Sequence, residues 1–354
     1  MKGEQDMDTM MNASVIEGSP KKLVYQRVPV PSYGPDQVLV NVKYAGICGS
    51  DVHGFLDPNS KGRIPGLIMG HECSGVIAGV GENVEGFKVG DRVAVDPQYR
   101  CGHCYYCNHG WYNICAENKI IGSALRGFVN GCFAEYVPVS FKQVLKLPEN
   151  LSLKEASMVE PLGNAVHMTH RADIQVGDTV VVIGAGTLGL CMMQAAKVAG
   201  AGKIIISDLA DFRLEIAKDL GADITVGSGQ DLQEIVLQET NGIGADVVVE
   251  AVGVEATYRQ SIALVRKRGT IVFFGAVTDH VDIPLMPILH KEINIVGSTG
   301  FDCETQMTID LMASKRIDVD PIITHVYPLS QAQEAVDMMT APGNTAIKVV
   351  LEIG

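Results

Sequence analysis

Residues 179–208 constrain the fold more than any other stretch of this chain. Five residues of strand character, Thr179–Ile183, lead straight into Gly184-Ala185-Gly186-Thr187-Leu188-Gly189, and a helical pattern follows over 190–199. The next strand-like segment ends at Asp208, nineteen residues after the last glycine. Each glycine has its own reason to be there. Gly184 allows a tight turn, Gly186 lets a pyrophosphate approach the main chain, and Gly189 lets helix and strand pack closely. The helix start offers unpaired N–H groups and partial positive charge to phosphates. Asp208 can accept hydrogen bonds from the hydroxyls of an adenosine ribose and would repel a 2′-phosphate, which favours NAD over NADP. Leu188 lies inside the turn. Arg213, one turn into the following helix, either covers the adenine or ribose edge or is a surface arginine. A glycine pattern alone would be weak; its place between strand and helix, with the acid downstream, makes it specific.

The same texture continues. Strand-like segments Thr179–Ile183, Lys203–Ser207, Ile224–Val226, 246–250, 270–274 and 293–297 alternate with helical stretches, the pattern of a doubly wound parallel sheet in an α/β protein. From about 38 to 146, short β-type runs such as Val-Leu-Val-Asn-Val and Asp-Arg-Val-Ala-Val are broken by Gly, Pro and Asp, which predicts an irregular, mostly β lobe. The chain after about 301 is mixed and closes in a strand over 347–353. At 354 residues it is long enough for two cores. A net charge of −13 argues against nucleic acid or an anionic membrane surface as partner. No apolar run reaches the length of a membrane span. The first dozen residues, rich in Met and polar groups, read as a loose tail.

Cys101, Cys104, Cys107 and Cys115 fall within fifteen residues. Two-residue gaps let neighbouring thiolates converge on one ion, and the longer gap lets the chain return with a fourth. Four sulfurs are the preferred shell of a closed, tetrahedral structural zinc site. The alternatives are a disulfide knot or buried free thiols. A knot needs an oxidising compartment, and no secretory signal is present, so nine cysteines point to the cytoplasm and to metal. Cys73, Cys132, Cys191 and Cys303 read as buried small residues.

A second donor set is quieter: Cys48-Gly49-Ser50-Asp51-Val52-His53 and Gly70-His71-Glu72. A thiolate and an imidazole from separate turns, with a carboxylate beside the histidine, suit an open zinc site that keeps a position for water or substrate. Glu160, in Val-Glu-Pro-Leu, is a further candidate ligand. Taken singly, a buried cysteine or a satisfied core histidine would explain each.

Together these residues resemble the zinc-containing medium-chain alcohol dehydrogenases, in the branch holding sorbitol (polyol), butanediol and threonine dehydrogenases. The resemblance runs from Val38 to the C-terminus. It rests on Cys48-Gly-Ser-Asp, Gly70-His-Glu, Gly90-Asp-Arg-Val, the cysteine quartet, Glu160-Pro161, and the glycine turn with Asp208. It implies a GroES-like, mostly β catalytic domain over 1–158, a Rossmann NAD-binding domain over 159–297, and a return to the catalytic domain over 298–354. It implies two zinc ions per chain, the quartet holding the structural one. The catalytic zinc would be held by Cys48 and His71 with Glu72 or Glu160, and which carboxylate binds stays open. It also implies a homo-oligomer, a tetramer or a dimer.

The implied reaction is reversible oxidation of a secondary alcohol in a small polyol or related metabolite to the ketone. Zinc lowers the pKa of a bound hydroxyl, Ser50 accepts the proton with His53 as a possible next station, and hydride passes to the nicotinamide. Threonine, 2,3-butanediol and polyol phosphates are the alternative substrates. A regulatory protein that binds NAD and zinc without turnover is the alternative outside enzymes. Polyol dehydrogenases often carry an arginine near the strand end facing the nicotinamide, and the stretch 297–302 has none. Lys61, Arg63, Lys119 and Arg126 could border a cleft for an anionic substrate, but solvated surface charge is the ordinary reading of each.

Overall fold

The computed structural model describes residues 9–19, 21–275 and 280–354. Residue contacts divide the chain into two units. One runs to Glu160 and resumes over Ile323–Gly354; the other is Pro161–Ile322. The chain therefore re-enters the first unit later than the 298 expected from sequence, because strand Asn294–Gly297 is followed by helix Thr305–Ala313 that still belongs to the second.

The second unit is built on a six-stranded, all-parallel sheet. Its spatial order is Ile224–Val226, Lys203–Ser207, Thr179–Ile183, Ala245–Glu250, Val265–Phe273, Asn294–Gly297. In chain order this is 3-2-1-4-5-6, the doubly wound arrangement, with its switch point beside the first strand. The central strands are apolar on both faces: Val180, Val181 and Val182, Ile204, Ile205 and Ile206, and Val247, Val248 and Val249 are all buried. That is what helices packed on both sides of a parallel sheet require. Three strands differ from expectation by a residue or more at an end, the largest change being Val265–Phe273, which starts five residues early.

The first unit centres on a seven-stranded sheet in which Gln37–Ile47 pairs antiparallel with Glu72–Val80, Lys348–Glu352 and Tyr136–Ser140. Val38, Val40 and Val42 point into the core at the period of two that a strand demands. The C-terminal strand is Lys348–Glu352, within the expected 347–353. Gly46 pairs with Glu72 on one side and with Val350 on the other, so three strand ends meet where Cys48, Glu72 and Lys348 lie.

Of the expected N-terminal tail, residues 1–8 lie outside the described residues. Residues 10–12 belong to strand Met10–Glu17, paired along its length with Lys22–Pro29. Met11, Ala13, Val15 and Ile16 are buried in the core of the first unit, which is why the segment is ordered as a strand. Among the described residues no helix is long and apolar enough to cross a membrane.

Candidate functional site

Cys48 caps the start of helix Gly49–Leu56, with extended backbone and its N–H donated to Asp51 Oδ2 at 3.3 Å. His71 and Glu72 follow Gly70, whose φ of +91° turns the chain into strand Glu72–Val80. A Cβ at Gly70 would stand 2.3 Å from the Phe133 ring, so only glycine fits that turn. Cys48 Sγ, a His71 ring nitrogen and a Glu72 carboxylate oxygen all lie within 4.8 Å of one another. Glu160, half-buried in the first turn of helix Val159–Ala172, is not part of that close group.

Asp51 lies behind His71. It is fully buried, and its Oδ1 accepts from Arg63 Nε at 3.1 Å and Nη2 at 2.8 Å. Burial pushes the Asp51 carboxyl up, but the charges of His71 and Arg63 and the hydrogen bonds from Arg63 outweigh it and hold it well below the usual carboxylate range. His71 Nδ1 is 3.4 Å from the same Oδ1, too poorly aligned for a hydrogen bond. Burial lowers the basicity of the His71 ring; Asp51 and Cys48 together reverse that and raise it. Glu72 is equally buried, and Lys348 Nζ donates to its Oε2 at 2.6 Å. Burial drives the Lys348 pKa down, and the negative charges of Glu72, Cys48 and Glu160 more than restore it.

Ser50 and His53 are exposed and share helix Gly49–Leu56 at a three-residue spacing, hence one face. Among the four cationic residues considered for a cleft, Lys61, Lys119 and Arg126 are exposed, whereas Arg63 is buried against Asp51. The expectation of a solvated Arg63 is corrected on that ground. Cys73, Cys132 and Cys191 are buried as expected, but Cys303 is exposed beside buried Glu304.

The four thiols at 101, 104, 107 and 115 converge. Sγ–Sγ separations of 3.9 Å join Cys101 to Cys107 and Cys104 to Cys115. Tetrahedral ligands about 2.3 Å from one ion would stand roughly 3.8 Å apart. The N–H groups of Cys107 and Ala116 bring the Cys104 thiol down to about 6, while burial and its thiol neighbours push Cys107 up to about 12. A cation relieves that crowding of incipient thiolates, so the donor set asks for one. His103 and Glu117 extend from Cys101 as an exposed pair, 3.0 Å apart.

In the second unit, Gly184 has φ +100° and a Cβ on Gly189 would lie 1.8 Å from Gly184 O. Gly186 caps helix Thr187–Ala199, and a Cβ there would meet nothing within 4 Å. The space above Gly186 is thus open to a phosphate, and the main chain is bare toward it. Leu188 is half-buried in the first turn of that helix. Asp208 Oδ2 accepts from Ala185 N at 2.7 Å, its Oδ1 accepts from Ala210 N at 2.9 Å, and Arg213 Nη1 is 3.6 Å from Oδ2. Glycine turn, acid and arginine therefore form one group.

Two family models match the chain: an alcohol dehydrogenase GroES-like domain over residues 34–149 and a zinc-binding dehydrogenase domain over 187–314. The L-idonate 5-dehydrogenase of Vitis vinifera is 38% identical over 342 residues, covering 94% of this chain and 92% of that protein. The chain belongs to the zinc-containing alcohol dehydrogenase family. The sorbitol dehydrogenase of Bacillus subtilis (strain 168) is 36% identical over 350 residues, covering 96% of this chain and 97% of that protein. Among solved structures, a short chain alcohol dehydrogenase of E. coli CFT073 complexed with NADH superposes with a TM-score of 0.89 at 32% identity, covering 98% of this chain and 100% of that one.

For a zinc alcohol dehydrogenase the donor sets fit. The quartet has the sulfur spacing of a closed site. Cys48, His71 and Glu72 bring a thiol, an imidazole and a carboxylate together, with His71 and Glu72 buried and Cys48 half-buried. Sequence reasoning missed the residues behind them. Asp51 was visible only as part of a motif, and Lys348 only as a lone lysine at the head of an apolar strand, where burial would demand an anionic partner. The stretch 297–302 has no arginine of its own, but Arg171, from helix Val159–Ala172, donates to Gly297 O at 3.1 Å.

Proposed function

We propose that this dehydrogenase oxidises a secondary alcohol of a small polyhydroxylated metabolite to the ketone, reducing NAD. The observation that carries the reading is the group Cys48, His71 and Glu72, three donors within 4.8 Å of one another, in a chain whose glycine turn is held by Asp208 through Ala185 N. Cys48 and His71, with Glu72, would hold the catalytic zinc, and the quartet the structural one, two per chain. Zinc bound at the first site supplies a Lewis-acid charge that acidifies an alcohol hydroxyl. Ser50 takes the proton, and exposed His53, one turn on along the same helix face, passes it to solvent. Glu160 stays near the group as a carboxylate for ligand exchange. Gly184, Gly186, Leu188 and Gly189 would hold NAD, with Asp208 on its ribose hydroxyls and Arg213 beside it, and NAD would supply the hydride acceptor.

The names of the relatives, an L-idonate 5-dehydrogenase and a sorbitol dehydrogenase, support a polyol or sugar acid over threonine or 2,3-butanediol. The quartet converges as thiols 3.9 Å apart and not as disulfides, which suits the reducing cytoplasm. A homo-oligomer, a dimer or tetramer, is supported by the sheet edge Asn294–Gly297, where Ile295 is exposed alongside Leu285, Met286 and Leu289. An unpaired strand edge with apolar neighbours is a surface that a second copy covers.

The test is NAD reduction across polyols, polyol phosphates, sugar acids, diols and threonine, with metal analysis on the same protein. Turnover of a polyol or sugar acid with two zinc ions per chain is expected. Cys48→Ser should lose one zinc and the activity while the fold survives. Near-normal turnover in Cys48→Ser would sink the mechanism, and silence across the whole panel would favour a regulatory NAD- and zinc-binding protein.

A further inference from the structure

Among the described residues Lys348 is the one buried lysine, 2% exposed. An ammonium is costly to bury and persists inside a protein only when paired. Its Nζ donates to Glu72 Oε2 at 2.6 Å and to Ile47 O at 3.2 Å. Glu72 is confined from another side as well: a Cβ on Gly46 would stand 2.1 Å from the same Oε2, so the carboxylate occupies the place that a side chain at 46 would take. Strand register produces this box. Gly46 lies across from Glu72 on one strand and from Val350 on the other, and Lys348 sits two residues before Val350, on the same face of its strand. Glu72 nevertheless keeps a carboxylate oxygen within 4.8 Å of the donor atoms of Cys48 and His71.

We infer that Lys348 is a positioning residue for the Cys48–His71–Glu72 centre: it holds Oε2, fixes the rotamer in which Glu72 faces the metal, and offsets one of the two anionic donors. The inference rests on the reading of that group as a zinc centre. Thiolate, carboxylate and ammonium together carry a single net negative charge, so a divalent ion bound there keeps positive charge that two bare anions would cancel. Groups behind metal ligands act in this way, by orienting the donor and tuning the charge on the ion.

The experiment compares wild type, Lys348→Met and Lys348→Arg as full chains. Zinc per chain is counted, release into a chelator is followed with a metal-sensitive dye, and cobalt(II) is then exchanged into the faster-releasing site for its visible spectrum. Wild type should hold two ions. Lys348→Met should release one of them about 10–100-fold faster, the range for losing such a supporting group, with displaced cobalt bands. Lys348→Arg should return both readouts toward wild type, and the ion held by the four cysteines should be unaffected throughout. Equal release rates and identical cobalt bands in wild type and Lys348→Met would overturn the role of Lys348 while leaving the metal centre standing. A wild-type chain with one ion would overturn the centre and the inference with it. If Lys348→Met does not fold, Lys348→Gln carries the same comparison.

Discussion

Arg63 closes on Asp51 with two hydrogen bonds to one oxygen, from Nε at 3.1 Å and Nη2 at 2.8 Å. Both residues are buried, and the shared Oδ1 is the atom that stands 3.4 Å from His71 Nδ1. The pair thus fixes the carboxylate behind a proposed zinc ligand. Removing one partner of a buried pair leaves an uncompensated charge and costs about 3–5 kcal/mol. Arg63→Met should lower unfolding stability by that order and weaken zinc retention at the Cys48–His71 site. Arg63→Lys should recover only part, because the two-pronged guanidinium geometry is lost. Urea unfolding with metal analysis checks this; an unchanged midpoint in Arg63→Met would refute it.

Asp208 does two jobs that substitution can separate. It holds the turn through Ala185 N at 2.7 Å, and in the proposed NAD site it would present negative charge where a 2′-phosphate would lie. Asp208→Asn should reduce kcat/KM with NAD by roughly tenfold, the effect of about 1.4 kcal/mol, and narrow the preference over NADP as Arg213 loses its anionic partner. Paired assays with both cofactors decide it. An unchanged preference would mean that Asp208 serves only the turn.

Gly186 and Gly189 should respond to alanine in opposite ways. A methyl at 189 would press into Gly184 O at 1.8 Å, so Gly189→Ala should destabilise the protein by about 1–3 kcal/mol or more as the helix is pushed off the strand. A methyl at 186 meets no protein atom within 4 Å, so Gly186→Ala should leave the melting temperature near wild type and instead weaken NADH binding. Calorimetry beside an NADH fluorescence titration separates the two. Equal thermal losses in both variants would count against the open space assigned to phosphate.

Glu304 predicts a pH dependence. His167 Nδ1 and His170 Nδ1 lie 2.9 and 3.1 Å from its Oε1, and Asp302 N donates to Oε2 at 2.6 Å. Burial pushes the carboxyl up, but the histidines and the main chain outweigh it and hold it at about 2 against an ordinary 4.5. A depressed folded-state pKa means stability that is present above 4.5 and lost as pH falls toward 2. At neutral pH, Glu304→Gln should be less stable than wild type by about 1.5–3 kcal/mol, the worth of hydrogen bonds to a charged group. The gap should close across that acid window. Denaturant unfolding at falling pH reads it out, and parallel wild-type and variant profiles would show that the histidines do not stabilise the carboxylate.

How much could be read in advance follows from how local each feature is. The glycine turn, its flanking strand and helix, and Asp208 lie within about thirty residues and encode backbone conformation and donor placement directly. The cysteine quartet is more compact still. By itself, then, the sequence determined a doubly wound sheet with a glycine turn and a β-rich lobe, and it offered two candidate sets of metal donors. Cys48, His71 and Glu72 were named from motifs, and the pairing of Gln37–Ile47 with Glu72–Val80 brings their donor atoms together. Only the tertiary structure decided which buried charges belong to which. Arg63 meets Asp51 across twelve positions, Glu304 meets His167 across 137, and Lys348 meets Glu72 across 276. A lysine or arginine in a sequence shows that a partner is needed if it is buried, but not whether it is buried or by which register. Those answers come from strand pairing and packing, and they also exposed Cys303 and buried Arg63, against the ordinary tendencies of both residue types.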